Sequence, residues 1–473
     1  MTAGPDGPAL RLTATWVAGA MGAALAAADP WQEFHGVSID TRTLAPGDLF
    51  IAIRGERFDG AEFAEAAIEK GAAGIVVVRG STRAASAERV VVIEVDDTTL
   101  ALQALGHAIR QASGTKVVAI TGSAGKTTTK EVAAEFLAAR YRVIRNRGNF
   151  NNHIGLPLSL VELRQRPEIA VVELGMNHPG EISTLVRVAE PDVRVWTNVG
   201  EAHLGFFASV DAIADAKAEI FEGASPSTLL VANADEDRIV ARRRAFTGRV
   251  VTFGIDRDAD VRASEIVDRG IDGTTARVTT PRGSVELTTP LVGRGNLENI
   301  LAATAVAEEF DVPLATVAEL AATLRPAAHR GEVVRLASGI TIIDDSYNAN
   351  PTATRRALEV LARAASGRRR IAVLGEMLEL GDRAAELHAG VGRAAAAARV
   401  DVLLAVGGPA AAALADAAVT AGMPRDAVRY FPSSAEAADA ASTIAAAGDV
   451  VLVKGSRGVR TDVVVDRLKA ERG

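Results

Sequence analysis

One stretch limits the fold more than any other: Val117 to Thr129 reads VVAITGSAGKTTT, an apolar run, a glycine-rich turn, and a helical segment opening at Lys126. Such a turn aims backbone N–H groups and the positive end of a helix at one point, the arrangement a polyphosphate needs. Lys126 is placed for β- and γ-phosphates, and the Thr127 hydroxyl for a magnesium ion. Ile120 stands where the general pattern has its first glycine, so the loop takes the TGxxGKT form: Thr121, Gly122, Ser123, Ala124, Gly125, Lys126, Thr127 and Thr128. A strand feeding a loop and then a helix calls for a parallel sheet covered by helices.

The text around the loop supports that class. Strand-like runs at Ile169–Glu173 and Val193–Asn198 alternate with helical ones at Lys126–Ala139 and Glu181–Ala189. Before them, Leu49–Ile53, Gly74–Val78 and Val90–Val95 read as strands and Gly60–Lys70 as a helix. Between Ala259 and Thr289, Val/Thr alternation broken at Asp272-Gly273 and Arg282-Gly283 predicts antiparallel hairpins. Helical text resumes at Asn296. Strands at Thr341–Ile343, Ile371–Leu374, Val402–Val406 and Val450–Val453 then alternate with alanine-rich helices, the run Ala394–Ala398 among them.

At about 150 residues per domain, a chain of 473 suggests three α/β domains. QASGT at Gln111–Thr115 reads as the first linker and Arg325-Pro326 as the second boundary. The expected divisions are 1–113, a small α/β domain; 114–326, a P-loop parallel-sheet domain with appended antiparallel strands; and 327–473, a Rossmann-like α/β domain.

Composition removes other classes. Lysine plus arginine number 52 against 59 acids, a net charge of −7, which argues against a nucleic-acid coat. With no cysteine there is no disulfide framework, thiolate metal site or cysteine nucleophile, and a cytoplasmic setting fits. The apolar segment Trp16–Ala28 faintly resembles a signal-peptide core. It is too short to span a bilayer, and Thr13 or Thr15 could cap it as an ordinary helix, so no membrane insertion is expected.

Three further residues stand where chemistry happens in such sheets. Glu173 closes the run IAVVE at the carboxyl edge, where magnesium ligands are found; without the loop it would read as well as a solvated strand-end acid. His203 follows VRVWTNV and Gly200-Glu201-Ala202, and only that position lifts it above a structural histidine. Lys217, in DAIADAKAEIF, is one of seven lysines in a chain whose default cation is arginine.

Together these motifs resemble the ATP-dependent Mur ligases of bacterial peptidoglycan synthesis, from about Val37 to Val465. Within that family the chain is similar to the branch that adds D-alanyl-D-alanine to UDP-N-acetylmuramoyl-tripeptide. That likeness rests on RNRGNFNNHIGLP from Arg145, DDSYNANP from Asp344, LGEMLELG from Leu374 and KGSRG from Lys454. The DNPR signature of the sister ligases that add a diamino acid is absent, and folylpolyglutamate synthases lack the N-terminal pocket. SIDTRTLAPGDLFIAIRGERFDG, Ser38 to Gly60, resembles the family's UDP-sugar pocket, and departs from it at Ala61, where histidine is frequent.

The resemblance implies roles. Lys126, His203, Lys217 and Arg330 would be catalytic. Thr127, Glu173, His203 and Lys217 would hold two magnesium ions, Lys217 as a carbamate formed with carbon dioxide. The loop, Asn296, Asn299, Arg330 and Asp345 would bind ATP. Ser38, Asp40, Thr41, Arg42, Asn151, Asn152, Tyr347, Asn348 and Asn350 would bind substrates. The first domain would hold the UDP-muramoyl-peptide, the second ATP, and the third, hinged to close on the nucleotide, D-alanyl-D-alanine, in a monomer without nucleic-acid partners. The physics of the carbamate is sensible: an ammonium beside magnesium and Lys126 is repelled, whereas a neutral amine that captures carbon dioxide becomes an anion. A sister ligase adding one amino acid, or a P-loop kinase or ATPase, is the alternative; the last two explain neither Lys217 nor the N-terminal pocket.

Overall fold

A computed structural model describes residues 7–25, 29–55, 58–81, 87–364 and 367–473. The end of the apolar segment, residues 26–28, lies outside them. The chain forms two compact units, one of residues 1–120, 140–194 and 219–229, the other of residues 121–139, 195–218 and 230–473.

In the first unit, four strands pair in parallel and in chain order: Val37–Ser38, Leu49–Ile51, Gly74–Val78 and Val91–Val95. Phe50, Ile75 and Val77 bury against Ala64 and Ala67 of the helix Ala64–Glu69. The expected helix from Gly60 begins instead as a 3₁₀ turn, Gly60–Phe63, with Asp59 accepting from the Ala61 N–H at 3.0 Å. The segment after Thr13 is an ordinary helix, Ala14–Ala20, whose Trp16 N–H donates to the Thr13 hydroxyl at 3.4 Å.

The linker expected at Gln111–Thr115 is not one. A helix, Thr98–Ser113, capped by the Asp97 carboxylate on the N–H groups of Thr99 and Leu100, occupies its first three residues. Gly114, at φ 72°, supplies the left-handed residue that ends the helix, and Thr115 is buried with its hydroxyl on the Pro167 carbonyl at 2.7 Å. A helix-terminating glycine and a linker glycine look alike in sequence; burial separates them. The strand Lys116–Thr121 follows, parallel to Ile169–Glu173, with Ile120 opposite Glu173. Ile169–Glu173 is buried along its whole length and pairs on its other side with Val143–Arg145. A continuous apolar run is what a strand covered on both faces requires.

In the second unit, the helix Lys126–Ala138 packs on the helix Arg294–Glu309. The expected hairpins are present as Val261–Asp268, Thr274–Thr280 and Gly283–Thr289, joined through Val261–Asp268 to the parallel strand Arg249–Gly254. Residues 332–454 supply a six-stranded sheet in the order Glu332–Arg335, Thr341–Asp345, Val450–Lys454, Arg370–Gly375, Val402–Val406, Val428–Phe431, with only the first strand antiparallel. Ile342, Val373, Leu404, Val451 and Val453 form its core with Ala437, Ala441 and Leu468. Each fully buried large aliphatic contributes about 1.5–3 kcal/mol. The alanine-rich helices Ala384–Ala397 and Pro409–Thr420 approach so closely that a Cβ on Gly392 would lie 2.1 Å from the Leu414 carbonyl oxygen. Small side chains there are a packing requirement. Among the described residues no helix is long and apolar enough to cross a membrane.

Candidate active site

The phosphate loop is held open by polar contacts from behind. Asn198 brackets Ala124, accepting its N–H at 2.8 Å and donating to its carbonyl at 3.0 Å, and the Thr197 hydroxyl donates to the same carbonyl at 2.8 Å. The Ser123 N–H donates to the Asn198 carbonyl, and the Ser123 hydroxyl exchanges hydrogen bonds with the backbone of Gly200. Gly122 and Gly125 have φ of 155° and 80°; a Cβ on them would lie 2.0 Å from Thr197 Oγ1 and 2.3 Å from Asn299 Oδ1. Glycine is needed at both, because the supporting side chains fill the space a larger residue would take. Asn299 also accepts from the Thr129 hydroxyl at 3.2 Å and donates to Asn296, which anchors on the Val292 carbonyl. The NLEN asparagines therefore prop the loop and its helix. Thr127 is buried in the first turn of that helix, and Thr128 follows it.

Lys126 reaches back to the Gly122 carbonyl at 2.8 Å. Lys217, on the helix Val210–Ala218, is 2% exposed. Burial first, and the charge of Lys126 second, hold the Lys217 amine well below the usual lysine range. Lowering the cost of losing its proton makes more of the amine available in the form that can react with carbon dioxide.

His203 sits at φ 60°, in the left-handed region. Its Nδ1 is 2.6 Å from the Glu379 carboxylate, and that bond keeps Glu379 below the usual carboxylate range. The pairing aims the imidazole and leaves Nε2 as its other functional nitrogen. Glu379 lies within LGEMLELG, a segment the sequence marks only as a whole; nothing in it singles out this acid.

Of the further residues of the second unit, Asn350 reaches the loop itself and others pair with one another. The Asn350 amide donates to the Ser123 carbonyl at 3.4 Å, and its oxygen caps the following helix at the Ala353 N–H. Asp345 is bound by Lys454 Nζ at 2.6 Å, and this buried lysine also donates to the Asn348 carbonyl. Lys454 thus contacts two of the residues the sequence singles out, a contact that sequence reading missed although Lys454 opens KGSRG. Arg330 lies over the Tyr347 ring at 4.1 Å from its centroid, with Arg457 at 5.7 Å. Glu201 pairs with Arg355, and Glu298 joins Arg294 and Arg356.

In the first unit, Glu173 is 1% exposed and accepts from the Asn151 amide at 3.3 Å, while its own N–H donates to Asn146. Asn152 caps the helix Gly155–Leu160 through the Gly155 N–H at 2.8 Å. At the N-terminal pocket, Ser38 donates to the Asp40 carbonyl, Arg42 grips the Asp40 carboxylate at 2.6 Å, and Lys70 donates to the Thr41 carbonyl. Hydrogen bonds from Arg42 pull the Asp40 carboxyl down to about 2. Among the described residues no group of three or more His, Asp or Glu stands ready for a metal.

Comparison with known proteins bears on the same residues. Three family models match: the Mur ligase family catalytic domain over residues 33–144, the Mur ligase middle domain over 120–307 and the Mur ligase glutamate ligase domain over 329–457. The UDP-N-acetylmuramoyl-tripeptide–D-alanyl-D-alanine ligase of Bacillus subtilis (strain 168) is 36% identical over 92% of this chain and 93% of its own. A crystal structure of MurF from Acinetobacter baumannii superposes with TM-score 0.87 at 31% identity, covering 98% of this chain and 100% of that one. MurF from Thermotoga maritima in complex with ADP gives TM-score 0.80 at 28% identity, covering 92% and 97%.

Proposed function

The chain belongs to the Mur ligase family, and on that premise we propose that it joins D-alanyl-D-alanine to the terminal carboxylate of UDP-N-acetylmuramoyl-tripeptide, converting ATP to ADP and phosphate. The observation that carries the ligase chemistry is the buried Lys217, its ammonium form disfavoured by burial and by the charge of the phosphate-loop Lys126. The choice of dipeptide rests on the relatives that share most of the chain's length.

Amide formation from a carboxylate is uphill in water, so the carboxylate must be activated. Its oxygen attacks the γ-phosphorus of ATP and ADP departs, leaving an acyl phosphate. The dipeptide's amine then attacks the acyl carbon, loses a proton, and the tetrahedral intermediate expels phosphate. An anion attacking a polyanion needs fixed positive charge, which Lys126 and Arg330 supply in this reading. No protein nucleophile is needed.

The residues suit magnesium and carbon dioxide. Two glycines seat the loop tightly on its supports, and a buried amine disfavouring its charge is the form that adds to carbon dioxide, giving a carbamate and releasing a proton. Thr127, Glu173, His203 and the Lys217 carbamate would hold the metal. Bound magnesium would offset triphosphate charge and polarise the γ-phosphoryl group. Asn151, the Ser38–Arg42 turn, Tyr347, Asn348 and Asn350 are the proposed substrate contacts, Asn296, Asn299 and Asp345 the proposed nucleotide-side residues, and the cytoplasm the proposed setting for this cysteine-free chain. Mass spectrometry of the product tests the proposal. A product heavier than the UDP-tripeptide by one D-alanyl-D-alanine residue pair supports it; ligation of a single amino acid in preference would overturn the substrate assignment.

A further inference from the structure

We propose that His388 is a positioning residue for this reaction: a neutral ring protonated at Nδ1, it fixes the loop of residues 376–381 so that Glu379 meets His203. The inference rests on the ligase reading for its effect on turnover, and on geometry alone for the state of the ring.

His388 is fully buried on the helix Ala384–Ala397. Its Nδ1 lies 2.7 Å from the Ala384 carbonyl oxygen, which can only accept, so Nδ1 carries a proton. Its Nε2 lies 2.8 Å from the Met377 N–H, which can only donate, so Nε2 carries none. One tautomer of the uncharged ring satisfies both. Burial favours the same state, against the Ala384 carbonyl and Glu376, which favour the cation.

Met377 is two residues before Glu379, and the backbone between them is unusual. Glu379 and Gly381 have φ of 65° and 57°, a left-handed course that a glutamate adopts only when its surroundings impose it. Other ties hold the same loop. Glu376 accepts from the Gly408 N–H at 2.7 Å, Leu378 donates its N–H to the Ser456 hydroxyl at 2.9 Å, and the Glu379 carbonyl accepts from the Gly205 N–H at 2.8 Å. His388 holds the Met377 N–H through a ring buried in the helix that follows the loop, while the buried Thr354 hydroxyl reaches the Met377 sulfur at 3.6 Å. The product of this arrangement is the 2.6 Å contact between Glu379 and His203, and a carboxylate on one imidazole nitrogen sets the ring's orientation and tautomer.

The test uses the full chain. Histidine nitrogen NMR, with the His388 signals assigned by their loss in His388→Gln, is expected to show Nδ1 protonated and Nε2 bare. An Nε2–H tautomer or an imidazolium at pH 7 would overturn the proposal. His388→Leu, which has no acceptor for Met377, is expected to lower kcat about tenfold or more with KM for ATP little changed. His388→Gln, whose amide oxygen can accept that N–H, should stay within about threefold of the native kcat. Combined with Glu379→Gln, His388→Leu should add less than about twofold, because both act through one contact. Full activity in His388→Leu, or independent multiplication of the two losses, would overturn the proposal. If His388→Leu fails to fold, the nitrogen spectra of the native protein decide the ring's state, and His203 ring signals unchanged in His388→Gln support the positioning role, whereas their displacement in that variant would overturn it. Absence of ligation by the native protein would refute the ligase reading and leave the spectroscopic result standing.

Discussion

Lys126 and Lys217 carry the same charge in isolation and meet different surroundings in the fold, Lys126 partly exposed and Lys217 buried. Lys126 is half-exposed and donates to its own loop, so its removal takes charge from the phosphate site without opening a core. Lys126→Ala is expected to lower ATP-dependent turnover by about 10²-fold or more while leaving the melting temperature within a few degrees. Near-native turnover in that variant would refute the assignment. Lys217 is buried and pushed toward its neutral form by desolvation and by Lys126. Lys217→Ala should be inactive and should regain activity when short carboxylic acids are added, since an exogenous carboxylate can replace the carbamate's anionic oxygens. Full activity without rescue would contradict the role given to this lysine. The sequence singles out Lys126 through the loop, and gives Lys217 its expected role only through a family likeness, because nothing local in AKAEIF announces burial.

The loop between the strand Lys116–Thr121 and the helix Lys126–Ala138 needs glycine at Gly125 for its neighbours as well as for its backbone, and Gly148 serves as the control that separates the two. Gly148, at φ 51°, would have nothing within 4 Å of an added Cβ, whereas Gly125, at φ 80°, faces Asn299 at 2.3 Å. Both alanine variants bear the backbone penalty of about 1–2 kcal/mol; Gly125→Ala should lose more stability than Gly148→Ala and weaken ATP binding besides, as denaturant melts and calorimetry can report. Equal effects of the two substitutions would mean that Asn299 does not support the loop. The helix Ala384–Ala397 offers a second test, in pH. Burial lowers the His388 pKa from its ordinary 6.5. Between that lowered value and 6.5 the unfolded chain binds a proton the folded one does not, so stability falls as the pH drops through this window and is unaffected by this group above it. His388→Gln should flatten that part of the stability–pH curve, and an unchanged slope would contradict the buried neutral ring. Regular elements were largely readable from period and turn residues: the hairpins at Gly273 and Gly283 fall where the sequence placed them. Gln111–Ser113 did not, because the features that make it a helix end, the Asp97 cap and the burial of Thr115, lie in three dimensions.

Tertiary structure adds what no local pattern contains. His203 and Glu379 are 176 residues apart in sequence, Glu201 and Arg355 are 154 apart, and Asn350 and Ser123 are 227 apart. These pairs bring residues of the 332–454 sheet region onto the phosphate loop and its neighbours within the second unit. The loop followed from its own motif, Glu173 was singled out by its place at the end of a strand, and the α/β class followed from the alternation of strands and helices, while the partners of His203, Asp345 and Arg330 required the fold. In the proposed reaction ATP cleavage is tied to amide formation between two substrates. The most direct test of that tie is phosphate release from ATP and magnesium with UDP-muramoyl-tripeptide and D-alanyl-D-alanine together, and with each left out in turn. Sustained release only when both are present is the predicted result; equal release without the dipeptide would contradict it.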